Sequence, residues 1–441
     1  MRLKTFSQGI HPVYLKELSS DKSIKKCPIP KKVIIPLSQH TGAPGKPLIA
    51  KKDRVERGQK IAEADAFITA PIHSSVTGTV KKIEKQPHPV LGSFNSIVIE
   101  RDENAEVKEW ERKTLNLEQL TPDDIRKKVR EAGIVGLGGA AFPASVKISP
   151  PQDKPIDTII LNGCECEPYL TADHRIMLER PDDCILGLKI IMKAVNAQKG
   201  IIAVEANKMD AYHLFLEKTK NEQRIDIELL EVKYPEGAEK MLIRALLNRV
   251  VPAGGLPMDV GVVVHNVGTA VAIVEAVRDD KPLIERVVTV TGKGVNNPGN
   301  FLVPIGTPFS EVIEAAGGLK ENACKVIMGG PLMGIAQTNL DIPVIKGTSG
   351  ILVLTEDETD IEDEMNCIRC ARCVDHCPMF LLPTEFVKFV KGEAWDRLEQ
   401  YHINDCIECG SCAYTCPSKI PIVQYIKLGK LVLKNLKSKK G

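Results

Sequence analysis

Over the first hundred residues the apolar positions fall in short β-rich runs, Val33-Ile34-Ile35, Gly78-Thr79-Val80 and Ser96-Ile97-Val98-Ile99. Pro and Gly turns part them at close spacing, which predicts an all-β unit over 1–110. At Thr121-Pro122-Asp123-Asp124 the pattern changes to a helix start: an N-cap residue, proline at N1 and acids in the first turn. That helix is expected to run to Ala132 and stop at Gly133. Strand-like runs at 158–161, 201–204 and 260–264 then alternate with helical periodicity, clearest over 185–195 and 238–250. This alternation predicts an α/β domain over 115–280. Short strands return over 285–345 around one helix at 310–316, the pattern of a small β-grasp module. Residues 355–366 hold seven acids and read as a solvated linker. A helical stretch is expected over 384–401. The tail, 421–441, places Ile422, Tyr425, Ile426, Val432 and Leu436 near helical spacing and carries six lysines from Lys427 to Lys440. It reads as a docked helix with a lysine-rich end, a membrane-surface helix being the alternative.

Two cysteine runs interrupt this scheme and carry its chemistry. They are Cys367-x-x-Cys370-x-x-Cys373-x-x-x-Cys377-Pro378 and Cys406-x-x-Cys409-x-x-Cys412-x-x-x-Cys416-Pro417. Three thiolates at steps of three wrap three corners of a cubane cluster, and the fourth, before proline, ligates the other cluster. The expected ligand sets are therefore crossed: Cys367, Cys370, Cys373 and Cys416 for one [4Fe–4S] cluster, and Cys406, Cys409, Cys412 and Cys377 for the second. Structural zinc prefers two separated C-x-x-C knuckles, so a third cysteine at the same step plus Cys-Pro fits it poorly. A disulfide framework lacks an oxidising context, since no signal peptide is seen. Arg369 and Arg372 flank the first run and Glu408 sits in the second, so the first cluster is expected to have the higher potential. Cys27, Cys164, Cys166, Cys184 and Cys324 are scattered and read as reduced thiols.

Composition narrows the classes. The 441 residues allow three or four domains. A net charge of +2 gives no reason to expect nucleic acid as a partner. The most apolar stretch, 258–277, carries Asp259, His265, Asn266 and Glu275 and reads as buried strand and helix rather than a membrane span.

A second constellation is Gly136-Leu137-Gly138-Gly139-Ala140-Ala141-Phe142-Pro143. It satisfies G-x-G-x-x-A, but it follows a helix, and Pro143 interrupts the helix that should come next. What remains is that glycines let backbone N–H groups approach phosphate or a flat ring closely, beside an aromatic that can stack. After the run at 158–161 comes Asn162-Gly163-Cys164-Glu165-Cys166-Glu167-Pro168, just past a strand's C-terminal end, where open α/β sheets bind ligands. A tight interdomain turn and surface acids are the plain alternatives for these two loops.

Both loops resemble the NADH-binding flavoprotein subunit of respiratory complex I, with its G-R-G-G-A-G-F-P-T-G-x-K and N-A-D-E-S-E-P segments. The resemblance implies that Gly136, Gly138, Gly139 and Ala140 line the FMN phosphate, that Phe142 and Lys147 contact the nicotinamide nucleotide, and that Asn162 and Glu165 face the flavin, with Glu167 at the NADH. Val264-His265-Asn266-Val267-Gly268-Thr269 is similar to the family's N-N-V-E-T and implies Asn266 and Thr269 near FMN. Glu236, in Tyr234-Pro235-Glu236-Gly237, matches its acidic nucleotide-site pair loosely. Leu137 stands for the family's arginine, Cys164 for its aspartate, and one acid remains of the pair, so the nucleotide side is less furnished than the flavin side.

The first segment also resembles the flattened barrel of lipoyl and biotinyl carriers, but Glu63-Ala64-Asp65-Ala66-Phe67 offers no carrier lysine, so a structural barrel is expected. The order of parts, beginning Gly9-Ile10-His11-Pro12, resembles the C component of the Rnf complexes, membrane-bound ferredoxin:NAD oxidoreductases that translocate ions. The fold class expected is multidomain α/β and α+β: N-terminal β barrel-sandwich, α/β flavoprotein domain, β-grasp module and, over 367–420, a two-cluster ferredoxin-like domain. The resemblance implies a peripheral electron-transfer subunit on the cytoplasmic side of the cell membrane. It would hold two [4Fe–4S] clusters and non-covalent FMN, act on NAD(H), exchange electrons with ferredoxin indirectly, and assemble with the complex's other membrane and peripheral subunits. A cobalamin reductase of microcompartments and a plain electron relay without a nucleotide site are the alternatives.

Overall fold

The computed structural model describes residues 3–359 and 363–438. The middle of the acidic run and the last two lysines lie outside them.

A long hairpin, Gly78–His88 with Gly92–Arg101, carries the N-terminal barrel, flanked by Lys32–Pro36 and Arg54–Val55. A second sheet of Lys46–Pro47, Lys60–Glu63 and Ile72–His73 closes over it. Val33, Ile35, Val55, Ile61, Val80, Ile97 and Ile99 interdigitate between the two, as alternation along each strand requires. Residues 3–26 do not enter this barrel. Lys4 and Ile10 bridge to Leu230 and Tyr234 of the α/β domain, and Ile24–Lys26 pairs in parallel with Gly299–Pro304 of the β-grasp module.

Pro122–Glu131 opens with the expected cap, Thr121 and Asp124 exchanging side-chain and backbone hydrogen bonds. The α/β domain has four parallel strands in the order Ile225–Leu230, Lys199–Glu205, Thr158–Gly163, Val262–Asn266. Register places Asn162 beside Asn266 at the C-terminal edge, where strand order reverses. Helices Pro181–Val195 and Val267–Asp279 cross one face so closely that a Cβ at Gly187 would stand 2.5 Å from the Ala270 carbonyl oxygen. Only glycine allows that approach.

The β-grasp module is a mixed six-stranded sheet covered by helix Phe309–Ala315. Beyond the linker, two helices, Pro383–Lys391 and Trp395–Gln400, separate the cysteine runs. The continuous helical stretch expected there breaks at Gly392. The tail is helix Ile422–Ser438, which buries Ile422, Val423, Ile426 and Leu433 in the core formed by Phe386, Leu398 and Ile403. Gly429 lets it approach, since a Cβ there would stand 2.9 Å from Leu398. Docking, the first of the two readings of the tail, is what the structure shows for the described residues.

Candidate cofactor sites

The eight motif cysteines separate into two groups in space. Burial raises the Cys373 thiol, and Cys416, Cys367 and Cys370 raise it further. Burial likewise raises Cys412, where Cys409, Cys406 and Cys377 act most strongly. Cys377, Cys406, Cys409 and Cys412 line one hollow walled by Phe386, Ile407 and Ile426. Cys416 faces a separate, open hollow beside Arg372, His376 and Tyr414. Among the described residues no three His, Cys, Asp or Glu side chains converge on a point as ligands of a single ion would. Cys377, Cys406, Cys409 and Cys412 stand around one hollow instead, an arrangement that suits a cubane cluster. Environments differ sharply: Cys377, Cys409 and Cys412 are buried, whereas Cys367 and Cys370 are exposed. Glu408 is paired with Lys430 at 2.7 Å, and the same ammonium donates to the Cys406 carbonyl.

The buried group abuts the α/β domain. Tyr234, with no exposed surface, donates from its hydroxyl to the Cys409 carbonyl at 2.7 Å. The same hydroxyl lies 3.1 Å from the Glu167 carboxylate.

The glycine loop projects between Val135 and Pro143, which bridge, and closes through Gly136 N–H to the Phe142 carbonyl at 2.8 Å. Leu137 turns inward. Its N–H donates to Thr269 Oγ1 at 2.9 Å and its carbonyl accepts from buried Arg286 at 3.0 Å. Gly138, Gly139 and Ala140 form the exposed tip. Among the described residues none of their N–H groups is paired within the chain. A Cβ at Gly138 would stand 2.9 Å from Asn266 Nδ2, whereas one at Gly139 would meet nothing. Unpaired backbone N–H groups of this kind are the donors that anions such as phosphate accept from.

Beside the tip, Asn266 caps helix Val267–Asp279 through Oδ1 and donates from Nδ2 to Asp173 at 2.6 Å. Burial first, then the Glu165 charge, pushes the Asp173 carboxyl up to about 7. Glu165 itself caps the N-terminal turn of helix Ala172–Glu179, accepting from the N–H groups of Asp173 and His174. Asn162 donates to the Gly237 carbonyl and accepts from Cys164 N–H. The loop, Asn162, Glu165, Asn266 and Thr269 thus gather at one end of the sheet.

Other expected residues are differently engaged. Lys147 is ion-paired with Glu239 and donates to the Val264 carbonyl at 2.8 Å, while Phe142 is half-buried. Glu167 accepts from the backbone N–H groups of Leu332 and Met333, so it holds the β-grasp module rather than facing the tip. Glu236 is completely buried. Asp173, Glu239 and Arg286 belong to the site and were not foreseen. Glu239 alone left a signal, as an acid two residues after Gly237.

Fold and site together define a flavin- and iron–sulfur-dependent electron carrier. The chain matches the RnfC barrel sandwich hybrid domain over residues 4–104, the Nuo51 FMN-binding domain over 129–275, the SLBB domain over 287–336 and the 4Fe-4S dicluster domain over 366–420. It is 49% identical, over 96% of its length and 93% of the relative's, to the C component of the proton-translocating ferredoxin:NAD(+) oxidoreductase complex of Clostridium ljungdahlii. Identity to the Na(+)-translocating counterpart of Acetobacterium woodii is 45%, over 97% of this chain and 96% of that one. The C component of the ion-translocating oxidoreductase complex of Rhodobacter capsulatus is 39% identical over 99% of this chain and 85% of its own. The chain therefore belongs to the RnfC family, the C components of the ion-translocating ferredoxin:NAD(+) oxidoreductase complexes, and is a peripheral electron-transfer subunit of such a complex. A chain of an NAD+-reducing [NiFe]-hydrogenase shares the fold at TM-score 0.50 and 20% identity, over 71% of this chain and 63% of that one. Among the described residues no helix is long and apolar enough to cross a membrane.

Proposed function

We propose that this chain holds two [4Fe–4S] clusters in the crossed sets given above and FMN at the glycine-loop tip, and that it exchanges electrons between NAD(H) at that end and partner subunits at the other. Tyr234 carries the reading: its bond to the Cys409 carbonyl fastens the buried cysteine set to the flavin domain, while Cys367 and Cys370 stay exposed. Bound FMN would supply two-electron exchange with a nicotinamide and one-electron exchange with an iron–sulfur centre.

The chain's own groups supply the rest. N–H groups of Gly138, Gly139 and Ala140 would hold the phosphate. Asn162 and Asn266 are fixed by Gly237 and Asp173 and present amides at the sheet's edge. Phe386, Ile407 and Ile426 exclude water from the buried cysteine set, and the exposed set faces outward to the partner from which electrons arrive or to which they leave. Through its relatives' named reaction, ferredoxin would be met by those partners, at the cytoplasmic face of the membrane.

The test is anaerobic titration of the protein, assayed beforehand for iron, sulfide and flavin, with NADH. Bleaching of a flavin band followed by cluster reduction is expected. Clusters and flavin that stay oxidised under NADH would refute the nucleotide site and leave a relay.

A further inference from the structure

Behind the 164–167 turn lies a second polar site that the electron-transfer reading does not use. The N-terminal segment seals it. Ile10 pairs with Tyr234, the Tyr14 carbonyl accepts from Tyr169 N–H at 2.7 Å, and Lys16 reaches inward to the carbonyls of Glu165, Glu167 and Leu170. Beneath it are Glu205, at the end of Lys199–Glu205, and Glu236, neither with any exposed surface. One carboxylate oxygen of each, and the Tyr14 hydroxyl, are buried without a hydrogen-bond partner. These three groups interact: the charges of Glu205 and Glu236 both act on Tyr14, and that of Glu205 on Glu236.

The site is short of hydrogen-bond donors. Lys208 spends its three N–H bonds on Glu205 Oε2, the Cys164 carbonyl and Asn207. Lys16 spends its three on backbone carbonyls. Glu236 is left with the Thr5 hydroxyl at 3.4 Å. Two neighbouring buried carboxylates do not both ionise without donors to spare, and unpaired buried oxygens enclose water or share a proton.

We propose that Glu236 and Glu205 form a proton-holding pair, joined through enclosed water to the Tyr14 hydroxyl, which takes up one proton when negative charge enters the flavin pocket and returns it when that charge leaves. This rests on the flavin reading above. The two sites are linked through Asn162, which at the sheet edge donates to the carbonyl of Gly237, next to Glu236. Iron–sulfur centres deliver electrons without protons, so negative charge enters the pocket, and uptake of one solvent proton by the pair offsets it. That proton goes back to solvent when the charge leaves, and the proton that NADH carries is taken from solvent separately. Burial, with Glu205 second, lifts the Glu236 carboxyl to about 9, and burial raises Glu205 as well. The other charged or titratable groups facing the pair are Lys16, Lys208, Cys164, Glu165, Cys166, Glu231 and Lys233.

Infrared difference spectroscopy of the anaerobic holoprotein tests this. A protonated-carboxyl carbonyl band is expected at about pH 8, where Asp173 has largely lost its proton, and should persist up to about pH 9. It should be lost in Glu236→Gln, kept in Glu231→Gln, shifted by Tyr14→Phe and strengthened by reduction with dithionite. Absence of the band at about pH 8, or its survival there in Glu236→Gln, overturns the proton site. A band indifferent to reduction of bound flavin overturns the buffering role. Protein that shows the band but holds no flavin refutes the pocket reading and the buffering role, and leaves the proton site standing.

Discussion

Lys346 offers the sharpest quantitative test of how the modules are joined. It leaves the β-grasp module with 1% of its surface exposed and donates to the carbonyls of Pro71, in the barrel, and Gly133, ahead of the glycine loop, both at 2.7 Å. Burial alone pushes its amine down from 10.5 to about 7. The gap of about 3.5 units, at about 1.36 kcal/mol each, is an ionisation cost of about 5 kcal/mol. That cost is constant below pH 7. Between about pH 7 and 10.5 the folded state has released this proton while the unfolded chain still binds it, so stability rises with pH by about 1.4 kcal/mol per unit. In Lys346→Met the slope disappears, and two buried carbonyls lose their donor at about 1–3 kcal/mol each. The variant should therefore lie within about 2 kcal/mol of the parent at pH 7 and fall behind by about 1–5 kcal/mol at pH 10. Urea unfolding of both chains from pH 7 to 10 measures this. Glu236 works in the opposite direction, losing stability as pH rises from 4.5 to about 9, but it is common to both chains and cancels in their difference. A difference that stays constant across that range would refute the neutral-lysine clamp.

Three further outcomes are expected. Cys377→Ala should remove the cluster beside Tyr234 and Cys416→Ala the exposed one, each leaving about half the iron, with different surviving paramagnetic resonance signals; the same surviving signal in both would refute the crossed sets. Gly138→Ala should weaken flavin binding by about tenfold or more, since its Cβ would displace Asn266, while Gly139→Ala meets open space and should bind nearly as the parent does, both read by fluorescence titration. Arg369→Gln and Arg372→Gln should lower the midpoint of the exposed cluster and leave the buried one unchanged, because Glu408 there is already neutralised by Lys430; unmoved midpoints in redox titration would refute the charge argument.

What the sequence discloses is local chemistry. Thiol spacing, the Thr121 cap and the β-rich run Val33-Ile34-Ile35 each need only a few neighbouring residues, so each is readable along the chain. What it hides depends on partners far away in sequence. Ile24–Lys26 is too short to declare its sheet, and only Gly299–Pro304 gives it one. Glu236 and Glu239 are acids three residues apart, yet one is sealed beneath the N-terminal segment and the other, opening helix Glu239–Leu247, meets Lys147. Their chemical roles diverge because of backbone direction at Gly237, which composition does not encode. Arg286 shows no motif at all, and becomes part of the site because its guanidinium accounts for the Leu137 carbonyl.

These long-range contacts explain why the cofactor sites lie at seams. Thr41 of the barrel donates to the Ala140 carbonyl at 2.9 Å. Arg286 of the β-grasp module holds Leu137, Thr269 of the α/β domain holds the same residue from the other side, and Tyr234 ties that domain to Cys409. Four modules therefore set the position of one loop and one cysteine group, and among the described residues no single hydrophobic core contains both. A substitution at a seam can slow electron transfer while every cofactor remains bound, because it changes separation rather than ligation. Tyr234→Phe makes the distinction: it keeps the packing of a fully buried ring and removes the only hydrogen bond described between the α/β domain and a cysteine of the buried set. If the modules were held by apolar packing alone, that change would leave flavin-to-cluster transfer untouched; held as the structure shows, it slows transfer with iron and flavin contents unchanged.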